Sequence, residues 1–343
     1  MNERIQCEKC VMDRSAKEIT FDEFGVCNFC HQAQGELDAL KGIGIHSIID
    51  PIILEGKGKK YDCLIGLSGG VDSSYTLHRA IQYGLRPLCF SVDNGYNDPK
   101  ADENILRLVE GLKVPFYRYT IDLEKFKKLQ AAFMRAGLPN IEIPTDHILM
   151  ATTYEMAAKY GIKYVLSGGN VATESIMPPS WGYTARDLVH IKNVYRRMMS
   201  EKLTGLPTCS LLKWNYYRWV KGIKMVYLLD YMEYNRNFAV KILADNYGYQ
   251  EYGEKHCESV FTQWFQNFYL FEKFGIEKRK AHLSSMINSG QMTKREALEE
   301  LGRDHYYQPL GLEKKVMAYP KRSHDEFKKD HYETVAKVVK FFV

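Results

Sequence analysis

The string Ser68-Gly69-Gly70-Val71-Asp72-Ser73-Ser74 joins a strand pattern to a helix pattern, and few backbone structures satisfy that junction. Before it, Tyr61-Asp62-Cys63-Leu64-Ile65-Gly66-Leu67 reads as a short buried strand. After it, Ser74-Tyr75-Thr76-Leu77-His78-Arg79-Ala80-Ile81-Gln82-Tyr83 reads as a helix stopped by Gly84. Two glycines at such a corner let backbone N–H groups face one concavity without side chains in the way. Ser68, Ser73 and Ser74 add hydroxyl donors, and the helix start adds a favourable dipole, so the expected occupant is an anion. The turn lacks both G-x-x-x-x-G-K-[ST] and G-x-G-x-x-G, which argues against ordinary γ-phosphate hydrolysis and against a dinucleotide fold.

Further strands are expected at 86–93, 116–121 and 165–167, with helices at 102–112 and 147–160 between them. Strands alternating with helices imply an α/β fold with a mainly parallel sheet and ligands at the carboxyl ends of its strands. Gly205-Leu206-Pro207 marks a boundary, beyond which the chain turns aromatic and basic and helices are expected at 262–274, 293–301 and 330–342. The organisation expected is a cysteine module at 1–35, a nucleotide-binding α/β domain at 36–205 and a mostly helical substrate- or partner-binding region at 206–343.

With 45% apolar residues in 343, the chain can bury a sizeable core, which excludes a disordered or fibrous class. No apolar run reaches the roughly 18 residues of a membrane span, and Met1-Asn2-Glu3-Arg4-Ile5-Gln6-Cys7 is too polar for a signal peptide. A reducing cytosol is the default compartment, and no membrane insertion is expected. The net charge of +5 is spread along the chain, whereas a nucleic-acid binder gathers its basic residues into a patch or arm. No nucleic-acid partner is expected.

Cys7-x2-Cys10 and Cys27-x2-Cys30, separated by sixteen residues, have the spacing of a paired-knuckle four-thiolate zinc site. A segment this short buries too little to fold by itself, so the metal would supply folding energy. An iron–sulfur cluster and redox thiols are the alternatives, with His31 as a substitute ligand or an exposed polar residue. Cys63 and Cys89 fall inside strand patterns and read as small apolar residues, while Cys209 and Cys257 remain open as thiols near the site.

The turn resembles that of the PP-loop ATP pyrophosphatase superfamily, whose S-G-G-x-D-S signature Ser68 to Ser73 matches throughout. The resemblance implies that Ser68, Gly69, Gly70, Val71, Asp72, Ser73 and Ser74 grip the pyrophosphate of ATP while a substrate oxygen takes AMP. A carboxylate beside polyphosphate needs a cation, so Asp72 is the expected Mg²⁺ ligand, the alternative being a loop-ordering cap. Asp93 and Asn94 would meet adenosine, although Asn94-Gly95 is also an ordinary turn signal. Gly168, Gly169 and Asn170, followed by Thr173 and Glu174, occupy the place of a phosphate- or metal-contacting segment in that superfamily.

Over nearly its whole length the chain resembles the N-acetyl sugar amidotransferases of bacterial surface-polysaccharide and flagellar-glycan biosynthesis. The resemblance rests on Cys7-Glu8-Lys9-Cys10-Val11-Met12-Asp13, Gly25-Val26-Cys27-Asn28-Phe29-Cys30, the strand and turn from Tyr61 to Ser74, and Val92-Asp93-Asn94-Gly95. In the last third it rests on Gly253-Glu254-Lys255-His256-Cys257-Glu258-Ser259 and Ser289-Gly290-Gln291-Met292-Thr293-Lys294-Arg295-Glu296-Ala297-Leu298. It implies conversion of an acetamido group on an N-acetylated sugar to an acetamidino group, with release of AMP and pyrophosphate. It also implies a separate glutaminase subunit and its (βα)8-barrel partner as the ammonia source. Lys255, His256, Glu258 and Arg279 are the expected catalytic groups for the sugar half, with Lys278 and His282 beside them; a solvated basic face is the other reading of 278–280. Tyr216, Tyr217 and Trp219 fit an aromatic helix core or a sugar-stacking wall. The competing activity within the superfamily is ATP-dependent tRNA thiolation, which calls for a reactive thiol at the turn.

Overall fold

The computed structural model describes residues 5–251, 258–304 and 306–328. Lys255, His256 and Cys257 lie outside the described residues, as does the helix expected at 330–342. Two helices, α1 (Asn28–Leu40) and α2 (His46–Glu55), precede the alternating part of the chain. That part runs β1 (Cys63–Gly66), α3 (Val71–Gln82), β2 (Pro87–Asp93), α4 (Pro99–Leu112), β3 (Phe116–Thr120), α5 (Leu123–Ala136), α6 (Ile143–Lys159) and β4 (Tyr164–Ser167). There follow α7 (Val171–Glu174), α8 (Leu188–Met199), α9 (Leu211–Asn215), β5 (Lys224–Tyr227) and α10 (Arg236–Tyr247). The remaining helices are α11 (Val260–Trp264), which continues as a π-helix over Phe265–Phe274, then α12 (Arg279–Asn288), α13 (Lys294–Leu301) and α14 (Glu313–Ala318).

All five strands are parallel, in the order β3-β2-β1-β4-β5. The α/β fold class expected from the sequence is therefore present, with a cysteine cluster before it and a helical region after it. The sheet does not stop at the expected boundary near 205, because β5 pairs with β4 from Lys224 onward. No strand is expected from the sequence at 224–227, although Met225-Val226-Tyr227 is apolar, and β5 is an edge whose side chains are largely exposed.

Alternation along the strands feeds two separate cores. Leu64, Leu88, Phe90 and Val165 point into one, with α5, α6 and α8, while Cys63, Ile65, Cys89 and Leu166 point into the other, with α3, α4 and α10. Ile65 is fully buried, so truncating it to Ala would cost about 2–5 kcal/mol. Local signals set the helix starts: Pro99 occupies the first turn of α4, and the Asp98 side chain caps it by accepting the N–H of Lys100 at 2.8 Å.

Strand order positions the ligand crevice. From β1 the chain moves outward through β2 to β3, then returns to place β4 on the other side of β1, so the carboxyl ends of β1 and β4 flank a topological switch point. The phosphate turn leaves β1 there, and Gly168-Gly169-Asn170 leaves β4.

The cysteine segment does not stand apart as a separate unit. Cys7, Cys10, Met12, Cys27 and Cys30 belong to the same buried cluster as the sheet-facing residues. Lys294 Nζ donates to the carbonyls of Cys7 (2.7 Å) and Glu8 (3.1 Å), and the Val11 N–H donates to Ser284 Oγ at 3.3 Å. Helices α12 and α13 thereby hold the knuckles against the body of the molecule.

Candidate functional site

Gly69 sits at φ +81°, and a methyl group there would stand 2.3 Å from the carbonyl oxygen of Ala101 on α4, so only glycine fits. The turn can therefore pass close beneath α4 and aim the start of α3 into the crevice. Gly70 caps α3 without a side-chain hydrogen bond, which leaves first-turn amides open to an anion. Ser73 organises the loop: its Oγ accepts the Ser68 N–H at 3.3 Å, donates to Gly70 O at 3.2 Å and lies 3.2 Å from Ser68 Oγ. Ser68 Oγ accepts the Gly70 N–H at 3.2 Å. Ser74 differs from these two, because its hydroxyl is buried without a hydrogen-bond partner among the described residues.

Gly168 closes the other wall. A methyl group on it would stand 2.6 Å from the Ser73 nitrogen, so the end of β4 packs directly on the first turn of α3. Asn170 is the N-cap of α7: its Oδ1 accepts from the Thr173 N–H (2.9 Å) and hydroxyl (3.0 Å), and its Nδ2 donates to Gly168 O at 3.2 Å. The side chains of Asp93 and Asn94 make turn hydrogen bonds at the carboxyl end of β2. Asp93 Oδ1 accepts the Gly95 N–H at 3.0 Å and Asn94 Oδ1 accepts the Tyr96 N–H at 3.1 Å.

Asp72 lies in the first turn of α3 and accepts a hydrogen bond from the Tyr234 hydroxyl. Burial, with the Asp72 carboxylate beside it, holds the Tyr234 phenol well above its ordinary range, so it remains a donor. Asp230 accepts the Val171 N–H at 2.7 Å, and burial pushes its carboxyl up to about 6, with Glu174 and Glu36 adding to the effect. Tyr234 and Asp230 were not anticipated as site residues: the first lies 162 residues from its partner, and the aromatic stretch around it carries no spacing that singles it out.

Among the expected catalytic groups, Glu258 reaches the turn. A methyl group on Gly70 would stand 3.5 Å from its carboxylate, and residues 258–260 bridge to 96–98 through Asp98 N–H to Glu258 O (2.9 Å) and Val260 N–H to Tyr96 O (2.9 Å). Arg279 occupies another place: it bonds Glu277 at 2.8 Å and the carbonyls of Glu300, Leu301 and Arg303, which ties the start of α12 to the end of α13. His282 lies 3.4 Å from the Thr173 carbonyl, and Lys278 lies 6.0 Å from the centre of the Phe265 ring. Tyr217 stacks on Tyr154 at 5.7 Å as part of the core, whereas Trp219 is exposed.

Residues 258–339 match the family model of the C-terminal domain of WbpG-like LPS biosynthesis proteins. That stretch is similar to a WbpG-like C-terminal domain. The resemblance to surface-polysaccharide enzymes read from the motifs is supported by this match. The match begins at Glu258, the residue whose carboxylate stands 3.5 Å from where a methyl group on Gly70 would be. An uncharacterized protein of Methanocaldococcus jannaschii, MJ1599, is 27% identical over 119 residues, which span 34% of this chain and 40% of that protein. Among solved structures, the U34-tRNA thiolase NcsA of Methanococcus maripaludis with its [4Fe-4S] cluster aligns at 14% identity, 93% of this chain, 97% of that chain and a TM-score of 0.37. The NMN synthetase of Francisella tularensis aligns at 15% identity, 65% of this chain, 98% of that chain and a TM-score of 0.32. The NH3-dependent NAD synthetase of Campylobacter jejuni aligns at 13% identity, 65% of this chain, 99% of that chain and a TM-score of 0.30.

Beside the WbpG-like domain, the sulfurs of Cys7, Cys10, Cys27 and Cys30 lie within 4.8 Å of one another, all buried. Two edges of the set, Cys7–Cys30 at 3.9 Å and Cys10–Cys27 at 3.8 Å, equal the edge of about 3.8 Å that a tetrahedron with metal–sulfur bonds of about 2.3 Å requires. A cubane cluster, whose thiolates sit on separate irons, needs a wider spacing. The N–H groups of Cys10 and Cys27 approach Cys7 Sγ at 3.4 and 3.2 Å, and Asn288 Nδ2 approaches Cys30 Sγ at 3.3 Å, as suits thiolate acceptors. Hydrogen bonding within the set, chiefly through Cys10, pulls Cys7 down and pushes Cys27 and Cys30 up, a conflict that a central cation removes. His31 is outside the set, paired with Asp22 at 2.8 Å and exposed. Cys209 is buried beside His147, and burial raises its thiol. Among the described residues, no helix is long and apolar enough to cross a membrane.

Proposed function

We propose that this protein is an ATP-dependent amidotransferase that converts an acetamido group of an N-acetylated sugar to an acetamidino group. The observation that supports this reading is the nearness of Glu258, where the match to the WbpG-like domain begins, to Gly70 of the Gly-rich turn: its carboxylate stands 3.5 Å from where a methyl group on Gly70 would be. It joins the nucleotide crevice to a domain of polysaccharide biosynthesis. The thiolase alternative is less well served: among the described residues Cys63 and Cys89 are packed in strands, Cys209 is sealed beside His147, and four thiols share one cluster.

An amide resists ammonia because its oxygen is a poor leaving group. In the proposed reaction that oxygen attacks the α-phosphorus of ATP, and the bond to pyrophosphate breaks. Ammonia then adds to the acetamido carbon of the O-adenylyl imidate, AMP departs with the oxygen, and loss of a proton leaves the amidine. The turn amides and the hydroxyls of Ser68 and Ser73 hold the departing pyrophosphate and favour the charge it gains. Asp72, oriented by Tyr234, is the carboxylate suited to Mg²⁺, which when bound screens the phosphates. Zinc is the ion proposed for Cys7, Cys10, Cys27 and Cys30, in a structural role. A separate glutaminase and its barrel partner, in the cytoplasm, would deliver unprotonated ammonia. Incubation of the full chain with N-acetylated sugars, ATP, Mg²⁺ and ammonium, read by mass spectrometry, should yield AMP, pyrophosphate and a sugar in which NH replaces oxygen. Formation of ADP and inorganic phosphate instead would refute it.

A further inference from the structure

A cavity of about 780 Å³ opens between α10, the α11 helix with its π-helical continuation, α12 and α13. That volume falls within the roughly 300–1,000 Å³ of small-molecule sites. The helix supplying its amide wall is capped by Ser259, next to Glu258. At about 1.5 Å per residue, Gln263 and Gln266 stand on the order of 10 Å or less along it. Across from them, Thr173 on α7 also lines the cavity and is bonded to Asn170 of the crevice. The cavity thus borders the nucleotide site on two elements.

Its charges point to an uncharged occupant. Arg236 pairs with Glu251 at 3.4 Å, Arg279 with Glu277 at 2.8 Å and Arg303 with Glu300 at 2.7 Å. Against these three lining arginines stand four lining carboxylates, Glu296, Glu299, Glu300 and Asp304. A polyanion gains nothing from such a wall. Amides fill the space between. Gln266 is 8% exposed, lines the cavity and has no hydrogen-bond partner among the described residues. Gln263 accepts the Gln308 N–H at 3.0 Å through Oε1, which leaves its Nε2 without a protein partner among them. Neither amide is among the buried polar atoms left without a partner, so both reach the solvent of the cavity, where the hydroxyls of a ligand can replace water on them. The π-helix that carries Gln266 is a rare form that is frequent at functional sites.

We propose that this cavity receives the uncharged ring of the acceptor sugar, whose hydroxyls bond Gln266 and Gln263 while its acetamido arm extends toward the phosphate turn. The assignment rests on the amidotransferase reading above. Saturation-transfer NMR on the full chain with N-acetylglucosamine, N-acetylgalactosamine and N-acetylmannosamine tests it. At least one of the three sugars should bind the wild type. Gln266→Leu should weaken that binding about tenfold or more, and Asn237→Ala at the exposed rim should weaken it less, with thermal unfolding confirming that both variants are folded. Binding by none of the three, or equal binding by wild type and both variants, would overturn the assignment. Turnover with ATP and ammonium separates the two claims. If the sugar binds through Gln266 and no AMP forms, the reaction fails and the cavity stands. If the amidine forms with unchanged KM in Gln266→Leu, the cavity fails and the reaction stands.

Discussion

The Tyr234 hydroxyl donates to the carboxylate of Asp72 in the first turn of the helix that follows the phosphate turn. A buried phenol is thereby committed to orienting one acid. Tyr234→Phe keeps the ring and removes the bond. The expected result is a fall in kcat of about tenfold, equivalent to about 1.4 kcal/mol, with little change in KM for the sugar and a raised Mg²⁺ requirement. Steady-state kinetics across a Mg²⁺ series check this; an unchanged Mg²⁺ dependence would show that the phenol is only packing.

Gly168 and Gly35 predict opposite signs for one substitution. Gly168→Ala drives a methyl group to 2.6 Å from the Ser73 nitrogen, so the turn must shift, and ATP affinity should fall about tenfold or more with a lower Tm. Gly35 lies inside α1 with nothing within 4 Å of an added methyl group, and Gly35→Ala should stabilise by about 0.5–1 kcal/mol. Nucleotide titration and thermal melts of the two variants give the comparison.

Asp230 sets a pH dependence. Its carboxyl is raised to about 6 by burial, above the ordinary value of 3.8, so the folded protein holds a proton there that the unfolded chain has released. The stability associated with that proton is present below the unfolded value and is lost as pH rises through about 6. Asp230→Asn retains an acceptor for the Val171 N–H and removes the titration. At pH 7 it should be more stable than wild type by about 1 kcal/mol or less, allowing for partial solvent screening, and level with it near pH 4. Urea melts across that range would show the gap opening with pH, and a gap of constant size would contradict the assignment.

Removing metal from the four-thiol cluster should lower Tm and expose the knuckles to proteolysis. Cys10→Ser should reduce zinc content per chain and produce the same destabilisation without a chelator. Elemental analysis of natively purified protein decides the identity of the ion, and iron in place of zinc would correct it.

The sequence pattern made the strand–turn–helix at Ser68 to Ser74 legible because its physics is local. A strand, two glycines, hydroxyls and a helix start are consecutive, and β1, α3, β2 and β4 appear where the pattern puts them. The end of β4 at Gly168 was legible for the same reason. β5 escaped because a short apolar run such as Met225 to Leu229 does not by itself distinguish strand from helix, and α5 and α8 lay in stretches that gave no reading. Tyr234, Asp230 and Gln266 were invisible for a different reason: each matters through a partner or cavity that only tertiary packing creates. For Arg279 the sequence offered only a basic cluster, and its bonds to Glu277 and to the carbonyls of Glu300, Leu301 and Arg303 depend on packing.

The clasp between the cysteine knuckles and α13 also bears on how the molecule is made. Lys294, which holds the carbonyl of Cys7, is translated 287 residues after it. At about 5–20 residues per second, the four thiols wait on the order of 15–60 s for their cover. The nascent four-thiol segment therefore stays without the Lys294 clasp until nearly the whole described chain has been made.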